Sequence, residues 1–549
     1  MSNAKKNIVV GLGSSGNSIV SFLLSKNKKV FVWDDNEIKQ QQAVDKFGAN
    51  HVSKFNKHTH TVCKNDVVVL SPGIARPYNT VNHSLVGGHF LAKMALEAGA
   101  SLVSSFDIFK SQCSKQTCLI GVTGSVGKST IVTIVHKILQ GLGNNAAMGG
   151  NIGIPYFDIQ PFNAKYNILE LSSYELENSQ DPSVHIGVII NIFPHHLDRH
   201  QTLDKYIDAK LRIFNASSIA VLNDDDQNSL TFVCAKLEEK FGSDFIKNNI
   251  RFFSTKRILP KGTSIVNSKC YIDGKNVDIC IPSNFLQFSQ QRQKQPIFFA
   301  TPTSKNLSSF CNSKASGLPT DNSKRVGTLL TNANNVTNIA NISNTAAALE
   351  LVRAKCCLEP KKVNNALSQI VNLEHRNEEI ARINNIVFIN DSKSTSYIST
   401  AMAIKSLPKN IILIAGGKIK NHSQNKGNAI NFTDNSDKEF INAVKKVLHV
   451  FLIGEVGKYY KNTNNKEKKD IFLAGYNNAL VTCDNLQNAT NQAYDFALNY
   501  ANKNQNGEDK KSDIYILFSP GFTSFDEFDN FVHRGNTFKQ LVLGIVERK

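Results

Sequence analysis

Short apolar runs alternate with longer amphipathic stretches along almost the whole chain. The runs NIVVGLG, KNDVVVLSPG, TCLIGVTG, YNILELSS, HIGVIINIF, IVFINDSKS, NIILIAGG, HVFLIG and IYILFSPG each end in, or lead into, Gly, Ser, Asp or Pro. An apolar run of strand length without polar alternation predicts a strand buried on both faces. Such strands belong to parallel sheets with crossover helices. The predicted fold class is therefore α/β. Ligands of such sheets gather beyond the carboxyl ends of the strands, so the turns after these runs are where chemistry is sought. Residues 282–338, 419–438 and 459–470 break the pattern. They are rich in Ser, Asn, Gln and Lys and read as solvated insertions or loops.

The 549 residues suggest about three or four domains. A hydrophobic share of 41% excludes wholesale disorder. The formal charge of +18 fits nucleic acid, acidic lipid or a phosphorylated substrate without choosing among them. No aromatic-studded basic stripe accompanies it, so no nucleic-acid partner is expected. No apolar stretch reaches the about 18 residues a membrane span needs. The start MSNAKKNIVVGLG lacks the long apolar core and cleavage site of a signal peptide. The ten cysteines show no CxxC pair, which reads as free thiols in a reducing cytoplasm. The adjacent Cys356 and Cys357 read as core or surface thiols rather than metal ligands.

The first run opens into Gly11-Leu-Gly13-Ser14-Ser15-Gly16, a GxGxxG turn, and Asp34 and Asp35 follow the next strand (VFVWDD). Glycines there let a phosphate approach a helix N-terminus, and an acid can bind a sugar hydroxyl. On these residues alone, a Rossmann-like nucleotide site and a ligand-free tight turn both stand. The third run leads into Thr123-Gly124-Ser125-Val126-Gly127-Lys128-Ser129-Thr130, the shorter TGxxGK[ST] form of a phosphate-binding loop. Its backbone N–H groups cradle phosphate, Lys128 supplies charge and the Ser129 hydroxyl can ligate Mg²⁺. Glu170 closes YNILE, where a carboxylate could hold that metal. His195, His196 and His200 with Asp198 hint at zinc, but no HExxH motif or cysteine pair joins them. On spacing alone, Lys210 in TLDKYIDAKLRIF reads as a solvated helix lysine. Three later strand ends carry Asn390-Asp391-Ser392-Lys393-Ser394-Thr395, Gly416-Gly417-Lys418-Ile419-Lys420 and Ser519-Pro520-Gly521-Phe522-Thr523-Ser524. Together they suit a small anion. Phe525, Phe528 and Phe531 read as one stripe on a helix, more often core than ligand cage.

These residues, in this order, resemble the Mur ligase family of ATP-dependent amino-acid-adding enzymes over nearly the whole chain. The markers are GLGSSG, SPGIA at 71–75, TGSVGKST, GGNIG at 149–153, ELSSYELE at 170–177, the HHLDRH block, His375-Arg376, NDSKST and SPGFTSFDEFDNFVHRGNTF. The ELSS and NDSKST blocks and the ending resemble the branch that adds D-glutamate to UDP-N-acetylmuramoyl-L-alanine through an acyl phosphate. The resemblance implies three domains. Residues 1–103 form a Rossmann-like UDP-sugar domain. Residues 104–371 form a central P-loop ATPase with a mostly parallel sheet and a polar insertion at about 282–338. Residues 372–549 form a Rossmann-like domain for ATP and D-glutamate.

The resemblance also assigns roles. Gly124, Ser125, Gly127, Lys128, Ser129, Thr130, Asn341, Asn344, Arg376 and Asp391 would bind ATP. Asn335 and Asn338 fit a spacing similar to that of Asn341 and Asn344. Ser14, Ser15, Asp34, Asp35, Ser71, Gly73, Asn151 and His196 would bind the UDP-sugar. Thr395, Lys420, Ser524 and Phe531 would bind D-glutamate. Lys128, His196, Lys210 and Lys393 would be catalytic. Two Mg²⁺ ions would be held by Ser129, Glu170, His196 and Lys210, the last as a carbamate. A cytoplasmic monomer is expected. Several positions depart from the family's pattern: Val126 stands for Asn, His195 for Asp, Glu175 for Gln, Ala340 for His, and Lys418-Ile419-Lys420 for a GGDGK-like loop.

Overall fold

The computed structural model describes residues 5–79, 85–194, 196–281, 336–370, 374–419, 435–462, 480–503 and 512–548. His195, Asn335, Lys420 and nearly all of the insertion expected at 282–338 lie outside the described residues. The chain forms two compact units, one of Met1–Ile281 with Ser343–Gln369 and one containing Ile370–Lys549.

The first unit holds two main sheets. A parallel five-stranded sheet runs in the order Val52–Lys54, Val30–Trp33, Asn7–Val10, Val67–Leu70, Ser101–Ser104. Its central strand is buried along its whole length, as the unbroken apolar run requires. A nine-stranded sheet runs Lys275–Cys280, Lys269–Ile272, Thr263–Val266, Ile250–Ser254, Ile219–Asn223, Ile186–Ile189, Cys118–Thr123, Tyr166–Glu170, Ala146–Gly150. Seven of these strands are parallel, and the first two close the edge antiparallel. Cys118–Thr123 thus lies between Tyr166–Glu170 and Ile186–Ile189. Three polar strand ends are thereby neighbours. The helix Lys128–Gly141 follows the first of them. Its buried Ile131, Val132, Ile134, Val135, Ile138 and Leu139 fall at helical spacing and face the sheet core.

The two sheets are joined through the helix Ser105–Gln112, which starts with a capping box between Ser104 and Asp107. The Asp107 carboxylate also accepts from the Gln180 N–H at 2.9 Å. Arg212 donates to the carbonyls of Leu176, Glu177, Ser179 and Gln180, satisfying the C-terminal end of the helix Ser173–Asn178.

The second unit is a six-stranded sheet in the order Glu378–Ile383, Ile386–Asn390, Ile514–Gly521, Ile411–Gly416, His449–Ile453, Leu480–Thr482. It is parallel except for the first pair. Its second, third and fourth strands lead into the NDSKST, SPGFTS and GGK turns, side by side.

Three local expectations are corrected. Residues 435–438, read as loop, begin the helix Asn435–Val444, because Phe440, Ala443 and Val444 bury its other end. Residues 459–462 finish the helix Gly454–Asn462, anchored by buried Val456. The phenylalanine stripe is not helical. Phe525 is 65% exposed in a turn, and the helix starts only at Phe531, where the Asn530 side chain accepts from the N–H groups of Val532 and His533. Among the described residues, no helix is long and apolar enough to cross a membrane, and the cysteines are free.

Candidate active site

The phosphate loop is built from the strand end outward. Gly124 and Gly127 take φ of +153° and +95°, which side-chain-bearing residues rarely adopt. Asn191, at the end of the neighbouring strand, clasps the loop. Its Oδ1 accepts from the N–H groups of Ser125 and Val126 at 3.0 Å each, and its Nδ2 donates to the Val126 carbonyl at 3.1 Å. The Ser125 hydroxyl lies 3.0 Å from the Tyr206 hydroxyl. Lys128 folds back over its own loop, donating to the carbonyls of Gly124 and Ser125 at 3.0 and 3.2 Å. Asn344 sits against Gly127, where an added Cβ would lie 2.7 Å from its Oδ1. Thr130 occupies the first turn of the following helix. Asn341 stands one turn before Asn344 on Val336–Arg353 and is half-buried.

The loop hydroxyl meets the acid proposed from sequence. Ser129 Oγ donates to Glu170 Oε2 at 2.5 Å, and Asn151 Nδ2 donates to Glu170 Oε1 at 3.3 Å. A hydroxyl and a carboxylate are hard oxygen donors, suited to a magnesium ion that keeps several waters. Among the described residues, no three His, Cys, Asp or Glu side chains gather into a metal cluster. His196 takes a φ of +58°, and its Nδ1 lies 2.9 Å from the Tyr174 hydroxyl.

Lys210 corrects the solvated reading. It is 1% exposed and donates to the Gly124 carbonyl at 3.1 Å and Thr123 Oγ1 at 3.2 Å. The helix Leu203–Leu211 turns this lysine inward beside buried Tyr206, Ile207 and Leu211. Burial first, and Lys128 second, push its ammonium well below the ordinary lysine range, while Glu170 opposes the shift. The shift favours the neutral amine, the form of lysine that can add CO₂.

The GxGxxG turn is closely built. An added Cβ on Gly16 would lie 1.9 Å from the Gly11 carbonyl oxygen. Ser71 Oγ donates to the Gly11 carbonyl at 2.7 Å. Asp34 is engaged in holding the turn, since Oδ2 accepts from the Leu12 N–H at 2.7 Å and Oδ1 from the Asn36 N–H at 3.0 Å. Asp35 is exposed, as is Ser14, and Ser15 is half-buried at the start of a helix whose Gly13 cap offers no side chain. Gly73 has open space around it. Its segment is gripped from the nine-stranded sheet's side: Asn178 Nδ2 donates to the carbonyls of Ser71, Pro72 and Ile74, and Arg199 reaches Asn178 Oδ1 at 3.0 Å.

In the second unit, Asp391 is buried. It accepts from Ser519 Oγ at 2.7 Å and from the Asn377 N–H at 3.3 Å. Burial raises its carboxyl to about 6, against the pull of Ser394, Ser519 and Arg376. Lys393 Nζ stands 5.0 Å from the centre of the Phe531 ring. Ser524 is buried and Thr395 is half-buried on the adjoining turn. Sequence reasoning gave no role to Asn191 or to Arg534, a buried arginine beneath these turns that lies within the SPGFTSFDEFDNFVHRGNTF block. Asn191 left one trace, as the polar residue closing the IGVII run.

Residues 122–282 match the family model described as the Mur ligase middle domain, and residues 5–88 match that of the Mur ligase MurD-like N-terminal domain. The chain is 28% identical over 539 residues to the UDP-N-acetylmuramoylalanine--D-glutamate ligase of Wolbachia pipientis wMel, covering 96% of this chain and 94% of that one. It is 29% identical over 538 residues to the protein of the same name from Rickettsia prowazekii (strain Madrid E), covering 97% and 96%. Among solved structures, a pseudomurein peptide ligase type C from Methanothermus fervidus overlaps 98% of this chain and 100% of that one, at 15% identity and a TM-score of 0.48.

Proposed function

The chain belongs to the Mur ligase family, and from that membership we propose that it joins D-glutamate to UDP-N-acetylmuramoyl-L-alanine, an ATP-dependent, ADP-forming ligation of peptidoglycan precursor synthesis. The observation that carries this reading is the Ser129–Glu170–Asn151 chain of hydrogen bonds above buried Lys210. It links the phosphate loop to an acid and an amide at adjacent strand ends, which suits a site where the γ-phosphoryl group of a triphosphate passes to a carboxylate. On this reading residues 1–103 take the UDP-sugar, 104–371 take ATP, and 372–549 take ATP and D-glutamate. The protein acts in the cytoplasm as a monomer.

The residues divide the work as follows. The N-terminus of Lys128–Gly141, with Gly127 kept bare of a Cβ, receives phosphate oxygens. Lys128 leaves its two loop carbonyls for the terminal phosphates. Asn341, Asn344, Arg376 and Asp391 hold the rest of ATP. Burial favours the neutral form of Lys210, and in that form the amine attacks CO₂, a nitrogen–carbon bond forms, a proton leaves, and the site gains a carboxylate. Magnesium would be held by Ser129, Glu170, His196 and that carbamate, and when bound it offsets the charge between substrate carboxylate and triphosphate. A substrate carboxylate oxygen then attacks the γ-phosphorus as the bond to ADP breaks. The D-glutamate amine attacks the acyl carbon, phosphate leaves and the amine proton is lost. Thr395, Lys420, Ser524 and Phe531 hold the amino acid, and Lys393 stands by the transferred phosphate.

The test is phosphate release with ATP, Mg²⁺ and UDP-N-acetylmuramoyl-L-alanine across D-glutamate, L-alanine and meso-diaminopimelate, with a separate arm of folate and L-glutamate. Release driven by D-glutamate alone is expected. Release driven by another acceptor, or by nucleic acid without an acceptor, overturns the reading.

A further inference from the structure

Arg534 is the largest fully buried side chain described, at 1% exposure. Its guanidinium makes no ion pair with a carboxylate among the described residues. Its contacts go to turns instead. Nε donates to Ser392 Oγ at 3.2 Å, Nη2 to the Ser392 carbonyl at 2.9 Å, and Nη1 to the Phe522 carbonyl at 3.1 Å. Nη1 also lies beneath the double-glycine turn, 3.1 Å from where a Cβ on Gly417 would stand. Ser392 Oγ passes the connection on, donating to the Phe531 carbonyl at 2.8 Å. The Lys418 N–H donates to the Thr523 carbonyl at 2.8 Å, locking two of the turns together. One guanidinium therefore meets the turns after Ile386–Asn390, Ile411–Gly416 and Ile514–Gly521, three adjacent strand ends of the second unit.

From this convergence we propose that Arg534 is the positioning residue of the amino-acid acceptor pocket, tying the double-glycine turn to the two turns that present Lys393, Thr395 and Ser524 and to the helix start that presents Phe531. The inference rests on the D-glutamate ligase reading. The planar fork suits the task, since its N–H groups point in fixed directions at two residues on different turns. A lysine ammonium cannot reproduce that geometry. Burial lowers the arginine only to about 10, so it remains a cation at neutral pH and its donors stay available.

The test uses full-length Arg534→Lys and Ser392→Ala in the phosphate-release assay, with KM measured separately for D-glutamate, ATP and the UDP-sugar, and with thermal unfolding as a check of folding. Arg534→Lys is expected to raise the D-glutamate KM about tenfold or more, since small misplacements of binding groups weigh heavily, while the other two KM values stay within about twofold. Ser392→Ala, which keeps two of the three arginine hydrogen bonds, moves the same KM in the same direction by less. An unchanged D-glutamate KM in both variants, or a joint rise of all three, overturns the proposal. If Arg534→Lys fails to fold, Ser392→Ala decides by the same criterion. A wild-type protein without D-glutamate-dependent phosphate release defeats the ligase reading itself. A working wild type with variants that leave the acceptor KM unmoved defeats only the role of Arg534.

Discussion

Glu175 stands at the third position of the helix Ser173–Asn178, 3% exposed, and its Oε1 has no hydrogen-bond partner among the described residues. Burial raises its carboxyl from 4.5 to about 7, with Asp107 adding to the rise and the Phe106 amide and Ser104 hydroxyl opposing it. The folded state therefore holds this proton more tightly than the unfolded chain does. The stability it contributes is fully present below pH 4.5 and is lost as pH rises through about 7. One pKa unit corresponds to about 1.4 kcal/mol, so full ionisation removes about 3 kcal/mol. Glu175→Gln carries no titrating proton and escapes that loss. Between pH 5 and pH 8 the variant should gain about 2–3 kcal/mol on the wild type. Urea unfolding of both proteins, followed by circular dichroism across that range, reads the difference, and comparing the two cancels the titration of other groups. A difference that stays flat with pH means Glu175 is ionised in the folded chain, and the burial argument fails.

Lys128→Ala should abolish turnover while the fold and D-glutamate-independent properties such as the unfolding midpoint are retained; wild-type-like turnover refutes the phosphate-loop assignment. Lys210→Ala should lose activity and recover part of it with added short-chain carboxylates, and full activity without them removes the carbamate role. Asn191→Ala deletes three side-chain hydrogen bonds to Ser125 and Val126, each worth about 1 kcal/mol. The expected result is an ATP KM raised about tenfold or more with the D-glutamate KM unmoved, and an ATP KM within about twofold of wild type contradicts it.

The α/β fold was legible because each of the nine apolar runs becomes a strand with few or no exposed positions, a pattern that survives in one dimension. The turns after them were legible for the same reason. Lys210 was not legible from spacing. A lysine in an amphipathic helix is usually solvated, and only the packing of Leu203–Leu211 against the phosphate loop turns it inward. Asn191 stands in no motif, and Arg534 lies in the closing marker block, which says nothing of what its side chain touches. Their roles arise from backbone groups far away in sequence, Val126 and Ser125 for one, Ser392 and Phe522 for the other. The helix at 435–438 was missed because its apolar anchors lie after the polar stretch. The phenylalanine stripe misled because an i, i+3 spacing cannot show that Asn530 starts the helix at Phe531.

The central claim is that ATP activates a carboxylate of the UDP-sugar before an amine takes it. UDP-N-acetylmuramoyl-L-alanine labelled with ¹⁸O in its terminal carboxylate, turned over with D-glutamate and ATP, tests this through mass spectrometry of the released phosphate. The account predicts one ¹⁸O in the phosphate of each turnover. Phosphate free of label, released at the rate of product formation, contradicts it.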